Sequence, residues 1–105
     1  MESDWDLKDF VHREELMNVA AFRYCLGRRS YIVGACIDWL KRYWKNFSKN
    51  IQSVILRDLI EALQDGIFYE DVWRDFGNWA FPKLDKEQMN WIINDIAWRK
   101  KEWPL

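Results

Sequence analysis

The feature that most constrains this chain is the spacing of its apolar residues: from Leu16 onward they recur three and four positions apart and nowhere alternate for long. That period fits one face of an α-helix and not the two-residue period of a strand, so such segments bury their apolar surface by packing as helices. In the first, Leu16, Val19, Ala20, Arg23 and Leu26 fall on one stripe, with Met17, Ala21 and Tyr24 beside it. Gly27 is expected to end it, because glycine takes the left-handed conformation that closes a helix, and Ser30 is expected to cap the next. The second helix, about Tyr31 to Phe47, carries Val33, Cys36, Ile37, Leu40, Trp44 and Phe47 on one face and Ile32, Ala35, Trp39 and Tyr43 on another, which makes it central. Ser48 suits the cap of a third helix, whose wide stripe of Ile51, Val54, Ile55, Leu59, Ile60 and Leu63 stops at Gln64 to Gly66. "YEDVWRDFG" predicts a short helix opened by Glu70 and Asp71 and terminated by Gly77. Pro82 makes the next link a turn, and Asp85 and Gln88 stand at capping-box spacing for a last helix with the stripe Met89, Ile92, Ile93, Ile96 and Ala97. Its basic end, Arg99, Lys100 and Lys101, suits the negative pole of the helix dipole. The expectation is an all-α fold: a single compact bundle of four to five helices over residues 1–105, with a tight αα-hairpin at Gly27–Ser30.

The same residues narrow the function. A chain of 105 residues is the size of one domain with one core. The longest unbroken apolar stretch is a few residues, far below the about 20 of a membrane span. The opening "MESDWDLKDF" is acidic and lacks the basic start and apolar block of a signal peptide, so a cytoplasmic location is expected. The two cysteines, Cys25 and Cys36, are expected as small buried hydrophobes rather than a bridge. With His12 the one histidine, a Cys/His metal site lacks ligands, and neither metal nor cofactor is expected. Adjacent carboxylates such as Glu14 with Glu15, or Glu70 with Asp71, point in different directions on a helix and make no acid and base pair. Four scattered glycines form no phosphate loop and no nucleophile elbow, and His12 has no nucleophile at a telling spacing. An enzyme is not expected.

Charge is sorted along the chain, although the net charge is −1. Residues 1–15 hold six acids against Lys8 and Arg13. Residues 22–57 hold eight bases against Asp38, and from Asp58 to Asp75 the sign reverses, with Arg74 the one base. In the basic stretch, Arg28, Arg29, Lys41, Arg42, Lys45 and Lys49 are candidate anion contacts, and Tyr24, Tyr31, Trp39, Tyr43 and Trp44 lie among them. Cations neutralise phosphates and aromatic faces stack on bases, so a nucleic-acid-binding module is an alternative reading. Against it, helical aromatic stripes are usually core, the bases have acidic blocks to pair with, and a pI near 5.8 is low for such a module. Eight tryptophans exceed what a small core covers. Trp91 and Trp98 lie off the last helix's core stripe with Asp95 between them, while Trp5, Trp79 and Trp103 fall near chain ends or turns. Trp with Tyr and Arg is the composition of binding hot spots. The candidate partner-binding set is therefore Trp91, Asp95 and Trp98 with the acids Glu70, Asp71 and Asp75.

The run Phe22, Arg23, Tyr24, Leu26, Gly27, Arg28, Ser30, Tyr31 and Val33, followed by "ILRDLIEAL", resembles a motif in small uncharacterised proteins of tailed bacteriophages and prophages. The likeness covers about residues 20–65, and no activity is attached to that family. What the resemblance implies is a setting. Short phage accessory proteins without catalytic residues often act by occupying a host protein, and anti-CRISPR proteins are the best-known class. On that analogy the expectation is a monomer or dimer that binds and inhibits a host defence effector, a CRISPR nuclease being one candidate. A phage structural or assembly subunit is a further alternative. A mimic of DNA over its whole surface is disfavoured, because the chain is not acidic throughout.

Overall fold

The computed structural model describes residues 17–27 and 30–102. Five α-helices stand among the described residues, with no strand. Helix α1 (17–25) leads through Gly27 to α2 (Ser30–Tyr43), which continues into a 3-10 turn (Trp44–Asn46). Helices α3 (Lys49–Gln64) and α4 (Glu70–Ala80), a second 3-10 turn (Phe81–Lys83) and α5 (Lys86–Glu102) complete an all-α bundle. Trp5, His12, Glu14, Glu15, Leu16, Arg28, Arg29 and Trp103, and the side chains of Ser30, Tyr31 and Lys101, lie outside the described residues, so the expected Ser30 cap does too.

Most boundaries follow from local chemistry. Gly27 is left-handed at φ 78° and closes α1, just after the Leu26 amide has donated to the Phe22 carbonyl at 3.1 Å, while the rest of the expected hairpin at Gly27–Ser30 lies outside the described residues. Ser48 Oγ accepts from the Ile51 amide at 3.2 Å and caps α3. Gly66, at φ 75°, closes that helix, and the Ile67 amide donates back to the Ala62 carbonyl. At α5 the capping box is reciprocal: Asp85 Oδ1 accepts from the Gln88 amide at 2.8 Å, and Gln88 Oε1 accepts from the Asp85 amide at 2.9 Å.

Three expectations need correction. The second helix is regular only to Tyr43; residues 44–46 tighten into the 3-10 turn, where Gln52 Nε2 donates to the Trp44 carbonyl at 2.7 Å, and Phe47 is extended. Gly77 does not end α4. The helix runs through it to Ala80, and the glycine is buried where a Cβ would stand 3.3 Å from Leu59 Cδ2 and 3.2 Å from Phe81 Cε2. It is there for close approach to α3, and the regular helix instead gives way at the turn holding Pro82, which has no amide to donate. The buried side of α5 is also rotated from the expected stripe. Ile92 is fully buried and Gln88 nearly so, whereas Ile93 is 58% exposed and Ala97 is exposed. Polar bonding sets this rotation: Gln88 Nε2 donates to the Lys49 carbonyl and to Gln52 Oε1, so the amide is buried with its needs met.

Helix α3, and not the second helix that two apolar faces suggested, is the centre, packed against both α4 and α5, with Ile55, Leu56 and Leu59 fully buried. Truncating one of them to Ala would cost about 2–5 kcal/mol. A chain of aromatic contacts joins the helices on one side. Phe22 of α1 meets Trp73 edge-on at 5.4 Å, Trp73 meets Phe76 at 6.1 Å, and Phe76 meets Trp44 at 6.0 Å and Trp79 at 6.1 Å. Edge-to-face pairs add about 0.5–1.5 kcal/mol each beyond their buried area. Tryptophan thus builds much of this core, with Trp44 and Trp73 buried and Trp39 and Trp79 half-buried.

Candidate functional site

The α3–α5 face is organised by a charged segment embedded in an apolar stripe. In "ILRDLI", Arg57 and Asp58 sit between the buried residues Leu56 and Leu59, and both are themselves buried, at 6% and 7% exposure. Buried charges persist only when paired, and here signs alternate along a chain of six groups. Arg23 Nε donates to Asp58 Oδ2 at 2.6 Å, and Arg57 Nη2 donates to Asp58 Oδ1 at 3.0 Å. Arg57 Nη1 donates to Asp95 Oδ2 at 3.1 Å, and that oxygen also pairs with Arg99 Nε at 3.1 Å. Arg99 Nη1 then reaches both oxygens of Glu61 at 3.3 Å. The network ties α1 and α5 to α3. Hydrogen bonding from Arg23 to Asp58, acting against burial, raises the Arg23 pKa above its ordinary value.

Trp91, Asp95 and Trp98 share one flank of α5, at positions i, i+4 and i+7. The two indoles are therefore about 10 Å apart along the axis, two helical turns. Asp95 is held down into the ion network, while Trp91 and Trp98 stay 41% and 57% exposed. The Trp91 ring lies over the Arg57 guanidinium at 5.4 Å, so its inner face is fixed and its outer edge is free to meet a ligand. Beside Trp91 a depression of about 470 Å³ is bordered by Lys49, Ser53 and Val54 of α3 and by Glu87. Beside Trp98 a shallower one of about 680 Å³ is bordered by Glu61, Gln64 and Asp65. The result is two separate depressions along α3 and α5, one beside each indole.

The remaining candidates stand elsewhere. Glu70 pairs with Arg74 one turn further along α4, and Asp71 and Asp75 are exposed on the same helix. Beside them lie Phe68, Tyr69 and Val72, exposed apolar residues absent from the sequence-based set. Their signal was present, since the apolar run "IFY" directly follows the Gly66 stop, and only its first residue, Ile67, turns in to pack against the core. Tyr69 is left-handed at φ 58°, a conformation that costs a residue with a side chain about 1–2 kcal/mol. Of the basic stretch, Arg23 and Arg57 are in the network, and Lys49 Nζ is 2.7 Å from Asp85. Lys41 lies over the Trp79 ring at 5.5 Å, and Lys83 lies closer over the same ring at 4.4 Å. Arg42 and Lys45 are exposed and have no ion-pair partner among the described residues. Among the aromatics of that stretch, Trp44 is core, Trp39 packs on Phe47, and Tyr24 and Tyr43 reach the surface.

Among the described residues no group of His, Cys, Asp and Glu is placed to hold a metal, and no helix is long and apolar enough to cross a membrane. No protein-family model matches the chain, and no curated protein and no solved structure is similar to it.

Proposed function

We propose that this chain is a binding protein that acts by occupying the surface of another protein, with Trp91 and Trp98 as its anchors. The observation that carries this reading is the pair of half-exposed indoles held two turns apart on a helix tied to α3 by ion pairs with the buried Arg57 and with Glu61. Exposed aromatic residues on a rigid element lose little side-chain freedom on binding, which is why Trp dominates hot spots. Lys49 and Glu87 beside Trp91, and Glu61 and Asp65 beside Trp98, supply polar groups for a rim around those anchors. The phage resemblance adds the setting: the partner is a host defence effector, with a CRISPR nuclease the first to assay. The acids Asp71 and Asp75 would then act at longer range, steering a basic partner surface and governing the rate of association.

The test is capture from a bacterial host lysate by the immobilised chain, run in parallel with the W91A/W98A variant. The expected result is one stoichiometric protein retained by the parent and lost from the variant. Where that protein is a CRISPR nuclease, its target cleavage should fall when the parent is added. Retention of nothing stoichiometric, or equal retention by both chains, would remove this reading.

A further inference from the structure

The end of α2 gathers cations that the rest of the fold leaves without a carboxylate. Arg23, Arg57 and Lys49 of the basic stretch are spent on Asp58, Asp95 and Asp85. Lys41, Arg42 and Lys45 are exposed, and Lys45 follows Lys41 by four positions and Arg42 by three, so the three share one side of the chain. Trp79 brings in a fourth cation from another element. Its ring is held against Trp44 at 6.1 Å and Phe76 at 6.1 Å, and Lys41 at 5.5 Å and Lys83 at 4.4 Å both lie over it, drawn by the negative face of the indole. The exposed acids one turn back on these helices, Asp38 and Asp75, form no ion pair with any of the four among the described residues. Beside the cations Tyr43 stays 40% exposed, with its ring packed on Trp39 at 5.9 Å.

We propose that Lys41, Arg42, Lys45 and Lys83 form a contact surface for the phosphate backbone of single-stranded nucleic acid, with Tyr43 stacking on a base. Unpaired cations neutralise phosphates and release the counterions condensed on the strand, and an aromatic face already fixed by its neighbour stacks on a base at little cost in side-chain freedom. The single strand is the occupant that uses both parts of this surface. A duplex keeps its base faces stacked on one another, and an acidic protein surface or a layer of lipid headgroups offers the tyrosine no base to stack on. The contacts go to phosphates and to the flat face of a base, so the surface is tolerant of sequence. It stands apart from the protein-partner reading, since none of these residues borders the depressions beside Trp91 and Trp98.

The experiment follows the fluorescence anisotropy of a labelled thymidine oligonucleotide titrated with the full chain, with circular dichroism of every variant as the folding control. The expected affinity falls about 50-fold between about 50 and 200 mM salt, the slope of about −3 that four neutralised phosphates give on a single strand. K41Q/R42Q/K45Q, which leaves Lys83 alone, should bring that slope to about −0.7. R74Q removes the same kind of charge from a cation already paired with Glu70 and should leave the slope as it is. Y43A should bind the oligonucleotide about tenfold more weakly with the slope unchanged, because it removes stacking and no charge. No binding at about 50 mM salt would overturn the proposal, as would equal affinity for a duplex of the same sequence, since a salt-sensitive phosphate contact without base stacking is not the surface described. So would a slope that K41Q/R42Q/K45Q leaves unchanged, displacement of the oligonucleotide by poly-glutamate at equal charge, or tighter binding to vesicles of anionic lipid than to the oligonucleotide.

Discussion

Replacing Asp58 by Ala should cost about 3 kcal/mol, because it strips the principal partner from a buried cation. Asp58 accepts from Arg57 Nη2 at 3.0 Å, from Arg57 Nε at 3.3 Å and from Arg23 Nε at 2.6 Å. The two arginines differ in what they lose. The Arg23 side chain is 54% exposed, so water replaces the carboxylate and its share of the cost stays within the about 1 kcal/mol of a surface pair. Arg57 is 7% exposed at its side chain and has nowhere to go, retaining Asp95 as its one carboxylate and the Trp91 ring. Breaking a buried pair from one side typically costs about 3–5 kcal/mol, and the surviving Asp95 contact places Arg57 at the lower end of that range. Urea unfolding followed by far-UV circular dichroism at neutral pH measures the change, provided the denaturant slope is preserved. R23A gives the internal contrast and should cost less than about 1 kcal/mol. A loss below about 1 kcal/mol for D58A, or equal losses for D58A and R23A, would refute the reasoning that burial of Arg57 sets the magnitude.

Three other outcomes follow from particular residues. Hydrogen bonding from Lys49, and then from the Gln88 amide, lowers the Asp85 pKa, so its contribution is present above the usual carboxylate value of about 3.9 and is lost as pH falls through the lower folded value; the Tm difference between parent and D85N, which keeps a capping side chain, should therefore shrink below about pH 4, and a constant difference would contradict the assignment. Y69G should raise stability by about 1 kcal/mol in chemical unfolding by relieving the left-handed backbone, whereas a loss would mean that Tyr69 packing outweighs the strain. G27V should destabilise by more than about 1 kcal/mol in the same assay, since a β-branched residue resists φ 78°, and a neutral result would remove the hairpin requirement.

What the sequence made legible was chemistry that acts over a few residues. Ser48, the Asp85 and Gln88 box, and the Gly27 and Gly66 stops each depend on neighbours within one turn, and each stands where the spacing predicts. Gly77 was misread because a terminating glycine and a packing glycine look alike until Leu59 and Phe81 arrive against it. The face of α5 was misread for a related reason. Apolar periodicity ranks Ile93 above Gln88, yet Gln88 finds two acceptors in the Lys49 carbonyl and Gln52 Oε1, and Asp95 finds Arg57 38 positions away. Long-range polar pairing carries no local signature. At the candidate site, the exposure of Trp91 and Trp98 was readable from their shared flank, whereas the guanidinium beneath Trp91 was not.

The central claim is that Trp91 and Trp98 are anchors for a protein partner and not ornaments of the bundle. Isothermal titration of the captured partner with the parent chain and with W91A/W98A tests it most directly, with circular dichroism and Tm of both chains as the folding control. The expected result is a Kd at least about 30-fold weaker for the variant, the equivalent of about 2 kcal/mol, with its helicity preserved. A variant that is equally helical and binds with the parent's Kd would contradict the claim.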